Sequence, residues 1–386
     1  MNQQKKKIII IGPAYPYRGG NSLFISHVFD SLKDDFEVKI YNYKLLYPSI
    51  LFPGKTQYDE SKSLIKKAAN ERVINSINPF NWFAVTRKLK NENADLLVID
   101  WWHPFFSFCH FAITQFSKKR YKDKILFITE NVISHEANFI DRMLTKIGLR
   151  NADKFLVLSQ KVNEEVKIYS KEKKVYRTDL PVYDCYNFEN EKSSGADRKQ
   201  FGYLETDKVL LFFGYIRKYK GLDLLIDALP GLVKDDASYK LLVVGEFYDD
   251  EKIYFEQIEK LGLAKNIVTI NQFVPNEEVH KYYSVADLVV LPYRSATQSG
   301  ILNVSYGLLK PVLVTNVGGL SEFVDDEKTG IIIEKAEPKQ IADGIRKFFS
   351  IKEKVNFAEN IRAKIEQNSF SKLPELFQKI ISEIDE

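Results

Sequence analysis

Two short stretches in the second half of the chain carry the groups needed to hold a phosphorylated ligand. The run Phe212 to Leu222, FFGYIRKYKGL, places Arg217 and Lys220 in the turn that follows an aliphatic strand candidate, with Gly214 at its start. A guanidinium fork and an ammonium point charge can together grip a diphosphate and offset the charge that builds on it as it departs. The run Pro292 to Ile301, PYRSATQSGI, sets Gln298, Ser299, Gly300 and Ile301 between a strand candidate and a helix. Hydroxyl, amide and glycine N–H donors at a helix start make a second anion site. Two phosphate-type loops in one half of a chain point to a diphosphate ligand.

The first half offers two further loops. Ile11 to Asn21, IGPAYPYRGGN, contains Gly19, Gly20 and Asn21 ahead of a helical period. A glycine pair lets the backbone approach a ligand, although it is not the spaced glycine fingerprint of dinucleotide binders and a plain turn reads equally well. Thr129 to Glu136, TENVISHE, carries His135, a residue able to hydrogen-bond a sugar hydroxyl or move a proton; a structural or solvated histidine is the commoner use.

These loops must be positioned by a scaffold, and the chain alternates short aliphatic runs with helical periods, the pattern of βαβ units and parallel sheets. The strand expectations are Ile8–Ile11, Phe36–Tyr41, Leu96–Ile99, Ile125–Ile128 and Phe155–Leu158. They resume with Val209–Phe213, Leu241–Val244, Ile267–Ile270, Leu288–Leu291, Val312–Val314 and Ile331–Ile333. Asn21–Lys33 places Leu23, Phe24, His27, Val28 and Leu32 on one helical face. The polar stretch ENEKSSGADRK at Glu189–Lys199 reads as a linker. The expected fold class is α/β: two successive doubly wound, Rossmann-like domains, 1–188 and 200–368. A C-terminal amphipathic helix in 369–386 would be free to pack back on the first.

The 386 residues, 45% hydrophobic and 28% charged, exclude a disordered or fibrous chain and are enough for two cores. Cys109 and Cys185 form no zinc or disulfide pattern, and the longest apolar stretch, Trp101–Phe116, is too short and too polar to span a bilayer. Both fit a cytoplasmic protein. Residues 1–185 hold 30 Lys+Arg against 20 Asp+Glu, whereas the remainder holds 26 against 32, so the first half is basic. A basic half suits an anionic lipid surface or an acidic acceptor as well as a plain solvated face, and nothing resembles a nucleic-acid module. The aromatic and cationic run Pro79–Lys90 reads either as an amphipathic helix at the inner face of a membrane or as an ordinary buried helix.

The motifs from Val209 to Gly330 resemble the retaining, GT-B-fold glycosyltransferases called family 4. "LFFGYIRKYKGLDLLIDAL", "LLVVGE", "YYSVADLVVLPY" and "KPVLVTNVGGLSEFVDDEKTG" follow in that family's order. The first half is similar more loosely, through Gly19-Gly20, "ENVISHE", "ADKFLVLSQ" and "WWHPFF", which contains His103. The resemblance implies two domains facing a cleft, with Arg217 and Lys220 on the leaving diphosphate and His135 beside the transferred sugar. Gly19, Gly20, Asn21, His103, Gly214, Gln298, Ser299, Gly300, Ile301 and Asn303 would bind substrate. It implies no metal and no cofactor beyond a nucleoside diphosphate sugar donor, UDP- or GDP-linked. The acceptor would be a hydroxyl of a growing glycan: a polysaccharide, a lipid-linked oligosaccharide or a glycoprotein.

The chain departs from the family at one place. Members carry two glutamates separated by seven residues in the segment corresponding to Ala296–Val304, and no acidic residue occurs from Arg294 to Lys310. Gln298, Ser299 and Asn303 are the available polar substitutes. The departure keeps open a nucleotide-sugar-binding scaffold without activity; a nucleotide-sugar 2-epimerase, which needs carboxylates around the sugar, is disfavoured by it.

Overall fold

The computed structural model describes residues 5–52, 54–62, 67–133, 138–183, 198–367 and 369–385. The chain divides into two compact units: residues 1–60, 66–180 and 369–386 form the first, and 61–65 with 181–368 the second. His135 and nearly all of the expected linker lie outside the described residues.

In the first unit, β1 (Lys7–Ile11), β2 (Glu37–Leu45), β3 (Asn70–Asn75), β4 (Leu96–Trp101), β5 (Ile125–Thr129), β6 (Lys154–Val157) and β7 (Lys174–Arg177) form one sheet. Its order is β3-β2-β1-β4-β5-β6-β7, with every pairing parallel. The unbroken Ile8-Ile9-Ile10-Ile11 run suits a central strand covered on both faces, and all four side chains are fully buried. Strand order reverses between β1 and β4, which makes the carboxyl ends of those two strands the switch point where open α/β sheets place ligands. Two strands escape the hydrophobic pattern. β3 (NERVIN) and β7 (KVYR) lie at the two sheet edges, where polar side chains are tolerated and discourage edge-to-edge pairing.

Helices α1 (Gly20–Leu32), α2 (Pro79–Glu92), α3 (Ser107–Ser117), α4 (Phe139–Gly148) and α5 (Gln160–Tyr169) connect these strands. Val85 and Leu89 of α2, Cys109 and Ile113 of α3, and Val162 and Val166 of α5 share one core with Ile9, Ile11, Ile99, Phe127 and Val157.

The second unit repeats the plan with β8 (Lys208–Phe213), β9 (Tyr239–Val244), β10 (Ile267–Ile270), β11 (Leu288–Leu291), β12 (Val312–Thr315) and β13 (Gly330–Ile333). They pair in parallel in the order β10-β9-β8-β11-β12-β13. The helices are α6 (Leu222–Asp235), α7 (Glu251–Lys260), α8 (Asn276–Val285), α9 (Gly300–Gly307), α10 (Pro338–Ile351) and α11 (Phe357–Gln367). Leu210 and Phe212 face Leu225 and Leu229 of α6 and Ile341 and Ile345 of α10 in one core. On the other face Phe213 meets Tyr283 of α8 with ring centroids 5.1 Å apart. The switch point here falls between β8 and β11.

The chain then returns to the first unit as α12 (Leu373–Asp385). Phe370, just before it, stacks on His27 of α1 at 4.8 Å, and Phe377, Ile380 and Ile381 are buried. Phe370 thus covers the Phe24 and His27 side of α1 while Ile25 lies against Gly12 beyond β1, so the helix is buried on two sides. No described helix is long and apolar enough to cross a membrane.

Candidate functional site

The residues expected to grip a diphosphate come together at the switch point of the second unit. Gly214 leaves β8 with φ +99, and a Cβ there would lie 2.8 Å from Ile301 Cδ1 and 3.4 Å from Lys220 Nζ. The loop after β8 thus crosses directly against the start of α9, and Gly214, Lys220 and Ile301 surround one point. Gly221, with φ +73, closes this loop against the loop after β11: a Cβ would sit 2.1 Å from the Pro292 carbonyl oxygen. Only glycine meets both the backbone angle and the close approach.

Arg294 locks the two loops. Its backbone N–H donates to Tyr219 O at 2.7 Å, and its guanidinium donates to Lys218 O at 2.7 Å and to both carboxylate oxygens of Asp223 at 2.8 and 2.6 Å. This bidentate fork fixes orientation as well as distance. Ser299 caps α9, its Oγ accepting from Leu302 N–H at 3.4 Å. Gln298 Oε1 is buried without a hydrogen-bond partner among the described residues, and Asn303 is buried one turn into the helix. A third loop joins them after β12, where Gly318, with φ +54, lies so close to Ala296 that a Cβ would overlap its carbonyl oxygen.

The electrostatics of this site are unbalanced. Lys220 is buried, and burial together with the positive charge of Arg217 pushes its pKa down to about 7. No carboxylate lies within ion-pair distance of it among the described residues. An ammonium taken from water without a counterion is expensive, so the site favours an anionic ligand that would return the charge to Lys220.

In the first unit the loop after β1 is held from beneath. Asn42 Nδ2 donates to the carbonyls of Ala14 and Tyr15 at 2.9 and 3.1 Å, and Asn70 Nδ2 donates to Tyr15 O at 2.9 Å. Arg18 N–H donates to Gln57 O at 3.0 Å, Asp59 N–H to Pro16 O at 2.8 Å, and Tyr17 stacks on Tyr58 at 5.5 Å. Beyond this anchored part, Gly19 (φ +107) and Gly20 have open space where a Cβ would stand. Asn21 hydrogen-bonds the side chain of Glu130. His103 Nδ1 accepts from Phe105 N–H at 3.1 Å and caps the 3-10 turn Pro104–Phe106, an anchor that holds the ring in place.

Sequence reasoning missed the partner of Asn21. Asp100, at the end of β4, and Glu130, just after β5, are two buried carboxyls close enough to perturb each other, and both Asp100 oxygens lack a donor among the described residues. Burial raises both above the ordinary carboxylate range, and the Asp100 carboxyl is raised further by the Glu130 charge, so the pair retains a proton. The signal was present as an acidic residue ending each of two aliphatic runs, LLVID and ILFITE. His110, deeper in this unit, is pushed down to about 3 by burial and accepts from or donates to Tyr43 OH at 2.8 Å as a neutral ring. Among the described residues no group of three or more His, Cys, Asp or Glu side chains is placed to hold a metal ion.

The loops at the second switch point have counterparts in known proteins. Residues 193–368 match the glycosyl transferases group 1. This family match spans a little under half of the chain and takes in the whole of the second switch-point site. Spore coat protein SA of Bacillus subtilis is 30% identical over 195 residues, 48% of this chain and 51% of that protein. Glycogen synthase of Thermodesulfovibrio yellowstonii is 28% identical over 187 residues, 46% of this chain and 36% of that enzyme. The chain therefore aligns with about half or less of the length of these curated relatives. Across the whole chain, the crystal structure of Anabaena HepE in complex with UDP superposes with a TM-score of 0.73 at 15% identity, covering 98% of this chain and 100% of that one. That likeness shows the fold, GT-B.

Proposed function

We propose that the protein is a group 1 glycosyltransferase that moves a sugar from a nucleoside diphosphate sugar to a hydroxyl of a glycan acceptor. The observation that carries this reading is Lys220, a buried lysine with no carboxylate counterion among the described residues, set between two loops that present Gly214 and the α9 N-terminus. A diphosphate supplies the missing charge. In this reading Arg217 and Lys220 stabilise the leaving diphosphate, Gly214, Gln298, Ser299, Gly300 and Ile301 enclose phosphate and sugar, and Asn303 supports that helix turn. Gly19, Gly20, Asn21 and His103 would meet substrate in the first unit, and His135 would orient the transferred sugar. With cationic side chains on the diphosphate, the reaction needs no metal to neutralise it, and transfer would proceed with retention as in the resembled family. The match over residues 193–368 supports the class, and a UDP- or GDP-linked donor is consistent with the UDP bound by the Anabaena protein.

The absence of acidic residues between Arg294 and Lys310 favours one competing reading, a sugar-nucleotide-binding protein without transfer activity. A thermal-shift screen against UDP, GDP, ADP and CMP separates these from a protein with no donor site, since a ligand at 100 times its Kd adds about 2.7 kcal/mol of stability. Stabilisation by one nucleotide, lost in Arg217→Ala, is expected. Stabilisation without release of nucleoside diphosphate from any donor sugar would favour the inactive reading, and no shift with any nucleotide would end the donor-site assignment.

A membrane-proximal acceptor is part of the proposal. Helix α2 exposes Phe80 and Phe83, and Phe83 packs on the exposed Phe116 of α3 at 4.6 Å, in a unit rich in lysine. Co-sedimentation with anionic vesicles at low salt, reduced by Phe83→Asp, is the expected result. Equal sedimentation of both proteins would remove this element.

A further inference from the structure

Beyond the last paired residues of β8 and β9 the two segments stay zipped together. Gly214 N–H donates to Val244 O at 2.9 Å, Ile216 N–H to Glu246 O at 2.9 Å, and Tyr248 N–H to Ile216 O at 3.0 Å, with Ile216 bridging Phe247. Gly245 makes this possible: at φ +145 its missing Cβ would stand 2.0 Å from Gly214 O. The extension keeps Arg217 in extended backbone, φ −138 and ψ 152. Ile216 is fully buried, so the alternation of an extended chain turns its neighbours Tyr215 and Arg217 to the opposite side. There the Tyr215 and Tyr248 rings lie 4.6 Å apart, and the Arg217 guanidinium carbon stands 5.1 Å from the centre of the Tyr248 ring.

We propose that Tyr248, braced by Tyr215, is a positioning residue that holds the Arg217 guanidinium over its ring and so presents it to the donor diphosphate. The inference rests on the glycosyltransferase reading above and names how one arm of its diphosphate grip is aimed. An arginine on a turn has many rotamers, and each one excluded before binding is entropy that the ligand no longer has to supply. A ring face stabilises the cation without consuming its N–H donors, which a carboxylate partner would engage. The arrangement therefore fixes Arg217 in place while leaving its fork available for phosphate oxygens.

Isothermal titration of the full chain with UDP, GDP and ADP, and with inorganic pyrophosphate as the bare anion, tests the proposal. Tyr248→Ala should weaken the nucleoside diphosphate that binds, and pyrophosphate with it, by about two- to fivefold, the range expected of an exposed cation–π contact. Tyr248→Phe keeps the ring and should bind within about twofold of the parent. In an Arg217→Ala background, Tyr248→Ala should cost nothing further, because the side chain it positions is gone. Melting temperatures of the free variants identify any that fail to fold; if Tyr248→Ala is among them, Tyr248→Leu, which keeps bulk but no ring face, takes its place with the same expected loss. The proposal is overturned if Tyr248→Ala binds like the parent, if Tyr248→Phe binds as weakly as Tyr248→Ala, or if the loss persists undiminished without Arg217. A loss for the nucleotide but not for pyrophosphate also overturns it, since that marks base stacking. If the parent binds no nucleotide or pyrophosphate, the donor-site reading falls and takes this one with it. If Arg217→Ala weakens binding and Tyr248→Ala does not, only the positioning role falls.

Discussion

If the proposed donor site is the one built around Lys220, its buried ammonium makes nucleotide binding a proton-linked event whose size follows from the structure. In the free protein its pKa is about 7 against an ordinary value of 10.5, lowered first by burial and then by Arg217. A bound diphosphate restores the opposite charge and with it the ordinary pKa. Between pH 7 and 9, where the terminal phosphate with its pKa of about 6 is fully ionised, binding must then take up a proton at Lys220. At pH 8 the uptake approaches about 0.9 proton per UDP, and affinity falls by up to about tenfold per pH unit, or roughly 50-fold between pH 7 and 9. Titration calorimetry with UDP at pH 8 in buffers of different ionisation enthalpy reads the uptake directly. Lys220→Arg keeps its charge throughout this range and should bind with a flat pH profile. The free protein gives an independent check. The unfolded chain keeps the lysine proton up to about pH 10.5 while the folded chain releases it above about 7, so stability rises with pH through that window. Lys220→Met lacks this rise and should be more stable than the parent at pH 7, by on the order of 4 kcal/mol. A parent protein whose UDP affinity is flat from pH 7 to 9, with no proton uptake, would refute the reasoning.

Three other outcomes follow from particular contacts. Gly221→Ala should lose at least about 2 kcal/mol in denaturant unfolding, because it forces a Cβ into the Pro292 carbonyl at a positive φ, whereas Gly20→Ala, with open space around it, should stay within about 0.5 kcal/mol. Arg294→Ala removes the fork on Asp223; the pair is partly exposed, so the stability cost should be only about 1 kcal/mol, but UDP binding should weaken as the two loops lose their register. The buried Asp100 and Glu130 carboxyls hold protons that the unfolded chain has released, so parent stability should fall as pH rises from the ordinary carboxylate range toward neutrality, below the window in which Lys220 makes it rise. Glu130→Gln should lessen that fall, the buried Asp100 keeping its own part of it, and an unchanged slope in thermal melts across this range would show that Glu130 does not hold a proton in the folded chain.

Much of the scaffold and half of the candidate site were legible from residue order. The aliphatic runs located the strands buried on both faces, because such strands have no polar side, and glycine or basic residues just beyond them marked the loops at their carboxyl ends. The runs around Arg217 and Gln298 both lie at the second switch point for this reason. The edge strands β3 and β7 were not legible because NERVIN and KVYR hold no aliphatic run, a composition that an edge position tolerates, whereas the aliphatic edges β10 and β13 were found. The return of the C-terminal helix to the first unit was open to the sequence as an amphipathic period, but not its seat on α1, where Phe370 meets His27 across more than 300 residues of chain. What the residue order determined was which side chains stand at strand ends, since period and composition are local properties. Which of those ends adjoin was decided by tertiary structure alone: the Arg294–Asp223 lock, the Asp100–Glu130 pair and the Tyr248 shelf under Arg217 each join groups that follow or end different strands. Their geometry, and the raised pKa of the two carboxyls, come from burial and neighbours that no local window contains.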